Sequence, residues 1–178
     1  MLTSYTTCIQ TIVPSDELIV SRTDLFGKIT YANETFAKIS GYSIEELIGK
    51  NHRILRHPDM PKSVFQDLWQ TLKKEKSWKG YIKNLRKDGG YYWVYAEISG
   101  VYKEGKLVEY KSMRTPIDDD KKTLYQKKYD DLMKNEENSV RAVVRLRSEL
   151  IEKLQKLSYE KKKSIDTLLN EILDDTLF

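Results

Sequence analysis

Trp78-Lys-Gly-Tyr-Ile-Lys-Asn-Leu85, Tyr91-Tyr-Trp-Val-Tyr-Ala-Glu-Ile-Ser-Gly-Val101 and Leu107-Val-Glu-Tyr-Lys-Ser-Met-Arg-Thr115 are three runs rich in aromatic and β-branched residues. Lys87-Asp-Gly-Gly90 and a second turn around Glu104 and Gly105 separate them. Such runs, joined by short glycine turns, predict an antiparallel meander. Toward the N-terminus, residues 18–21 and 28–31 are shorter β-prone runs, and Gly27 between them lets the chain reverse into a hairpin. The stretch between hairpin and meander reads as helical. Asn33 is placed to cap a short helix that Gly41 ends. Ser43 and Glu46 have capping-box spacing ahead of Gly49. Pro61 suits a first helical turn, and Val64, Phe65, Leu68, Trp69 and Leu72 recur at helical spacing. The implied class is α+β: a five-stranded antiparallel sheet with helices packed over one face, which buries all the apolar faces at once.

Pro116 and the acidic run 118–120 close this domain and suit a helix N-terminus. Glycine and proline then vanish. Val140, Val143, Leu150, Leu154, Leu157, Ile165, Leu168 and Ile172 follow spacings of three and four, with Arg147 and Lys161 breaking the stripe. A coiled coil or a helical hairpin divided near residues 135–139 fits that pattern, and so does a helix packed back on its own domain. The expected organisation is a leader over 1–17, an α+β domain over 18–117 and a helical segment over 118–178.

The 178 residues are 39% hydrophobic and 33% charged, a composition that can bury a core. Net charge is +4. Residues 118–178 carry 13 basic and 14 acidic side chains, and the rest carry 18 and 13. That excess is too diffuse for a nucleic-acid face but suits a phosphate-bearing ligand. Cys8 stands alone, which removes a disulfide framework and a cysteine metal cluster. Neither a signal peptide nor an apolar membrane-spanning run is visible, so a cytoplasmic location is expected.

Asn51-His-Arg-Ile-Leu-Arg-His-Pro-Asp-Met-Pro61 concentrates both histidines, two arginines and two of the four prolines. Apolar Ile54, Leu55 and Met60 threaded through it imply a segment folded partly inward. Cations beside apolar side chains suit a pocket for a flat, anionic cofactor. A proline-ended connector between helices is the plainer alternative.

Asp24-Leu-Phe-Gly-Lys-Ile-Thr-Tyr-Ala-Asn33, Ser40-Gly-Tyr-Ser-Ile-Glu-Glu-Leu-Ile-Gly-Lys50 and Asn84-Leu-Arg-Lys-Asp-Gly-Gly90, followed by Tyr92-Trp93, resemble the successive landmarks of a PAS domain. The resemblance spans roughly residues 16–117. Arg56-His-Pro-Asp-Met-Pro61, with Phe65, Trp69, Trp78 and the 83–87 run, narrows it to the FAD-binding PAS domains of bacterial aerotaxis receptors and their split energy-taxis relatives.

Two readings attach to each residue. Trp69 suits the helix core, and by resemblance lies beside the isoalloxazine ring. Asn84 suits a strand amide, and an inward one needs a polar partner such as a flavin's pyrimidine edge. Arg56, His57 and Asp59 suit a local salt-bridge cluster; the resemblance puts them at the flavin, with Arg56 and Arg53 near the ribityl or pyrophosphate. Asn33 suits a helix cap and Trp78 a strand, and the resemblance adds both to the FAD site. No Gly-x-Gly-x-x-Gly phosphate loop occurs. Light-oxygen-voltage photosensors carry a cysteine where Asn51-His52-Arg53 stands here, so the resemblance implies redox sensing rather than a thiol photoadduct. Val94 follows Trp93 where those photosensors carry a second flavin asparagine.

The implied function is a FAD-binding redox sensor without catalytic turnover of its own, signalling aerotaxis or energy taxis to a separate membrane-anchored methyl-accepting receptor, and forming a homodimer. FMN is an alternative cofactor. A ligand-free PAS interaction module, a haem gas sensor using His52 or His57 as axial ligand, and a flavin oxidoreductase are the rival classes.

Overall fold

The computed structural model describes residues 9–74, 76–165, 167 and 168. Cys8, Ile172 and the start of the expected leader lie outside them. Two compact units are present, 1–133 and 134–178.

In the first unit β1 (Ile19–Thr23) and β2 (Ile29–Ala32) form the expected hairpin. Gly27, at φ 81°, makes the reversal, a conformation that side chains with a Cβ adopt only under strain. Then follow α1 (Glu34–Ser40), α2 (Ile44–Leu47), one 3₁₀ turn (His52–Leu55) and α3 (Lys62–Lys73). The anticipated caps are in place. Asn33 accepts from Phe36 N, Gly41 ends α1 in the left-handed region, and Ser43 and Glu46 close a capping box on α2. The meander is β3 (Trp78–Leu85), β4 (Tyr91–Lys103) and β5 (Lys106–Thr115).

The sheet order is β2-β1-β5-β4-β3, antiparallel throughout. Strand alternation gives it two different faces. Ile82, Asn84, Tyr92, Val94, Ala96, Tyr110, Ser112 and Arg114 point toward the short helices. Tyr81, Lys83, Trp93 and Tyr95 point the other way, where the beginning of α4 (Asp119–Lys161) packs. There the Tyr81 and Tyr125 rings lie 4.0 Å apart, Trp93 stacks on Tyr129, and Tyr129 Oη donates to Tyr81 O at 2.6 Å. Residues 9–13 run beside the start of β4, with Gln10 bridged to Tyr91 and Val13 buried.

The helix α4 passes through residues 135–139 unbroken; the expected division there is absent. Its i to i−4 ladder is continuous because no glycine or proline interrupts it. In the second unit it ends at Lys161; Lys162 follows at φ 50°, Ser164 Oγ accepts from Thr167 N, and Leu168 is buried. Val140, Val143, Val144, Leu150 and Ile151 are exposed, so among the described residues this stripe has no partner helix. No described helix is long and apolar enough to cross a membrane.

Candidate functional site

Between the helix-facing side of the sheet and the segment from the 3₁₀ turn through α3 lies a cavity of about 390 Å³. Leu68 and Leu72 of α3 and Ile82 and Ile98 of the sheet form its apolar walls. Arg53, Arg56, His52, Asn84, Ser21, Ser112 and Arg114 supply polar groups, and Phe26, Phe65, Trp69 and Tyr110 supply rings. A largely apolar concavity with a few convergent polar groups is the usual make-up of a small-molecule site.

Arg114 is the least expected member. It sits on β5 at 2% exposure. Its Nη2 donates to Ser21 Oγ at 3.0 Å and meets His52 Nε2 at 2.7 Å, while Nη1 has no partner among the described residues. The guanidinium also lies 5.0 Å from the centre of the Phe36 ring. Burial pushes its pKa down to about 10. Because arginine can only donate, His52 Nε2 is the acceptor, and the neutral imidazole carries its proton on Nδ1. Burial, and then the Arg114 charge, push His52 down to about 3. Its ring stacks on Phe36 with centroids 5.8 Å apart. Ser112 Oγ, on the same wall, is buried without a hydrogen bond to any described residue.

Arg53 and Arg56 stand at the cavity rim. The Arg56 guanidinium lies 3.5 Å from the centre of the Phe65 ring, and burial followed by the Arg53 charge lowers its pKa. Among the described residues no carboxylate pairs with Arg53, Arg56 or Arg114. Arg53 and Arg56 are exposed at the rim and Arg114 is buried; a buried cation without a counter-charge is costly, and an anionic ligand would supply the missing charge. Asn84 is 4% exposed; its backbone bridges Arg56 and its carboxamide lines the cavity.

The structure thus brings together four of the eight residues singled out from sequence: Arg53, Arg56, Trp69 and Asn84. Trp69 is at the cavity mouth, 36% exposed and edge-on to Tyr110, rather than in the helix core. The other four do not line the cavity. Asn33 is engaged in holding β1 to α1, accepting from Val20 N and Phe36 N and donating to Leu18 O. Trp78 is buried with its indole donating to Asp67 at 2.8 Å. His57 and Asp59 belong to a cluster with Lys83 at the edge of β3. Burial, ahead of the Lys83 charge, lowers the His57 pKa. As for axial ligation, His52 Nε2 is committed to Arg114, and His57 Nδ1 accepts from Asp59 N away from the cavity.

Arg114, Ser112 and Ser21 were not among the expected site residues, and His52, expected in the pocket only as an alternative haem ligand, lines the cavity as the partner of Arg114. The available signal was register: Tyr110, Ser112 and Arg114 alternate onto one face of β5, and a cation on the inward face of a covered sheet needs a reason.

Comparison with known proteins agrees with this architecture. The family described as PAS fold matches residues 29–114. The aerotaxis receptor of Escherichia coli (strain K12) is 47% identical over 116 residues, covering 65% of this chain and 23% of the receptor. The nitrogen fixation regulatory protein of Klebsiella pneumoniae is 36% identical over 108 residues, covering 60% of this chain and 22% of that protein. This chain therefore spans less than a quarter of either relative. Among solved structures, a light-oxygen-voltage domain studied with a flavin analogue superposes with a TM-score of 0.53 at 27% identity, covering 68% of this chain and 87% of its own. The sheet and short helices that enclose the cavity are a PAS fold.

Proposed function

We propose that this chain is a flavin-binding PAS redox sensor, with FAD as its cofactor, that acts by signalling rather than turnover. The observation that carries the reading is the cavity wall itself: among the described residues, Arg114 Nη1 and Ser112 Oγ are buried polar atoms without partners, and Arg53, Arg56 and Arg114 pair with no carboxylate. That donor set suits a flat, electron-poor heterocycle with a phosphate-bearing tail. The likeness to an aerotaxis receptor and to a light-oxygen-voltage domain studied with a flavin analogue supports the same ligand class.

A bound flavin supplies reversible electron chemistry that no amino-acid side chain offers. The residues divide the remaining work. Leu68, Leu72, Ile82 and Ile98 exclude water. Asn84 presents a carboxamide able both to donate and to accept, which fixes the orientation of a ring bearing carbonyls and an N–H. Arg53 and Arg56 hold phosphate oxygens at the rim. Arg114 meets negative charge gained in the cavity, and neutral His52 keeps that guanidinium aimed. A change of a few kcal/mol in this polar network is enough to shift a two-state equilibrium.

The output is read by another protein, a membrane-anchored methyl-accepting receptor in aerotaxis or energy taxis, from a cytoplasmic homodimer of this chain. The test is to purify the chain without added cofactor, denature it and chromatograph what is released. Released FAD supports the reading, FMN changes the cofactor, haem replaces the function, and an empty chain that also fails to take up FAD removes it.

A further inference from the structure

We propose that Asp59, Lys83 and Gln126 form a polar latch around the free edge of β3, through which the cavity wall controls how firmly the beginning of α4 is held on the opposite face of the sheet. The latch is a property of this chain's own residues and goes beyond the flavin reading.

Residues 56–60 grip β3 at several points. The Arg56 backbone bridges Asn84, and Lys83 N donates to Met60 Sδ at 3.3 Å. Lys83 Nζ donates to Asp59 Oδ2 at 2.5 Å. The same ammonium donates to Gln126 Oε1 at 3.1 Å, on α4. It also lies 4.5 Å from the centre of the Tyr91 ring, against which His57 packs edge-on.

Alternation makes this geometry consequential. Asn84 points into the cavity, and Lys83, its neighbour in β3, points to the face that carries α4. Arg56 is on the cavity rim, and Asp59, three residues on, has rounded the strand edge to reach the other side. A displacement of Arg56 or Asn84 by a ligand therefore has a short covalent path to both sides of the Asp59–Lys83 pair, from Arg56 to Asp59 and from Asn84 to Lys83, and Lys83 carries it to Gln126 through its hydrogen bond. Lys83 is 8% exposed, and losing either acceptor leaves a buried ammonium short of a partner. The latch thus favours two arrangements, closed on Gln126 or released from it, over a continuum. Gln126 also donates to Asp130 one turn on, which ties the contact into the first turns of the helix.

The test uses the full chain and amide hydrogen exchange. In ligand-free protein, Gln126→Ala is expected to speed exchange at Met60 and across residues 56–60 by about three- to tenfold, and Lys83→Met to do the same across residues 121–130. Asp130→Ala, which removes the other bond of Gln126, leaves residues 56–60 unchanged. With FAD added, exchange over 121–130 slows in wild type and not in Lys83→Met. Changes confined to the mutated element in the ligand-free proteins overturn the latch, and so does slowing over 121–130 that is equal in wild type and Lys83→Met. If wild type takes up no FAD, the flavin reading fails alone, and the ligand-free comparison decides the latch.

Discussion

Acidification provides a sharp test of the His52–Arg114 pair on the cavity wall. His52 packs on Phe36 and accepts from Arg114, and burial with the adjacent charge pushes its pKa from 6.5 to about 3. In the unfolded chain the same imidazole returns to its ordinary value. Between the two pKa values the unfolded state binds a proton that the folded state refuses, so stability rises with pH across that window. The contribution is fully present above the unfolded pKa and is lost as pH falls toward the folded one. The limiting slope is about 1.4 kcal/mol per pH unit, so acidification from neutrality to about pH 5 removes at most about 2 kcal/mol. The ring opens onto the cavity, and screening there reduces the expected loss to about 1–2 kcal/mol. For a chain of this size that is a fall in Tm of roughly 2–8 °C. His52→Gln keeps an acceptor for Arg114 but cannot titrate. Urea unfolding midpoints of wild type and variant, measured across the window, isolate the effect, because His57 and the carboxylates are common to both. Wild type should lose about 1–2 kcal/mol more than the variant on acidification. Parallel pH profiles would refute the neutral imidazole held against Arg114.

Three further outcomes follow from particular contacts. Arg56→Gln should weaken FAD binding by about 10- to 100-fold, the value of a charge-assisted hydrogen bond, and riboflavin binding much less, by fluorescence titration. Asn33→Ala should cost about 1–2 kcal/mol of unfolding free energy, since the cap and the tie to β1 are both lost, and leave FAD affinity within about twofold. Gly90→Ala would put a Cβ 2.9 Å from Ile9 O; proteolysis within residues 9–13 should accelerate as that segment leaves Tyr91, while the cavity stays intact.

The elements most legible in the sequence are those fixed by local chemistry. Asn33, Gly41, Ser43 with Glu46, and the glycine turns act within a few residues of themselves, so their roles can be read without the rest of the molecule. The five strands and their antiparallel pairing followed from composition and short connections. What could not be read depended on distant partners. Asn33 and Trp78 were candidates for the ligand, but hydrogen bonds to Leu18, Val20 and Asp67 engage them elsewhere. Nothing in the sequence next to Arg114 marks it out, and only the sheet order, which seats β5 between β1 and β4, shows that it is buried beside Ser21 and His52. Asp59 and His57 belonged to the densest polar stretch, yet the chain turns around the edge of β3 after Arg56 and takes them out of the cavity. The unbroken course of α4 was hidden for the opposite reason: a polar run over 135–139 is compatible with either a loop or a solvent-facing helix.

The most direct measurement of the central claim is the visible spectrum of the purified chain, recorded in air, after anaerobic reduction and again after re-aeration. The account predicts the near-ultraviolet and blue bands of an oxidised flavin, their bleaching on reduction and their full return with oxygen, with the bands weakened in Arg56→Gln. A chain that has no visible absorbance, and gains none on incubation with FAD, would contradict it.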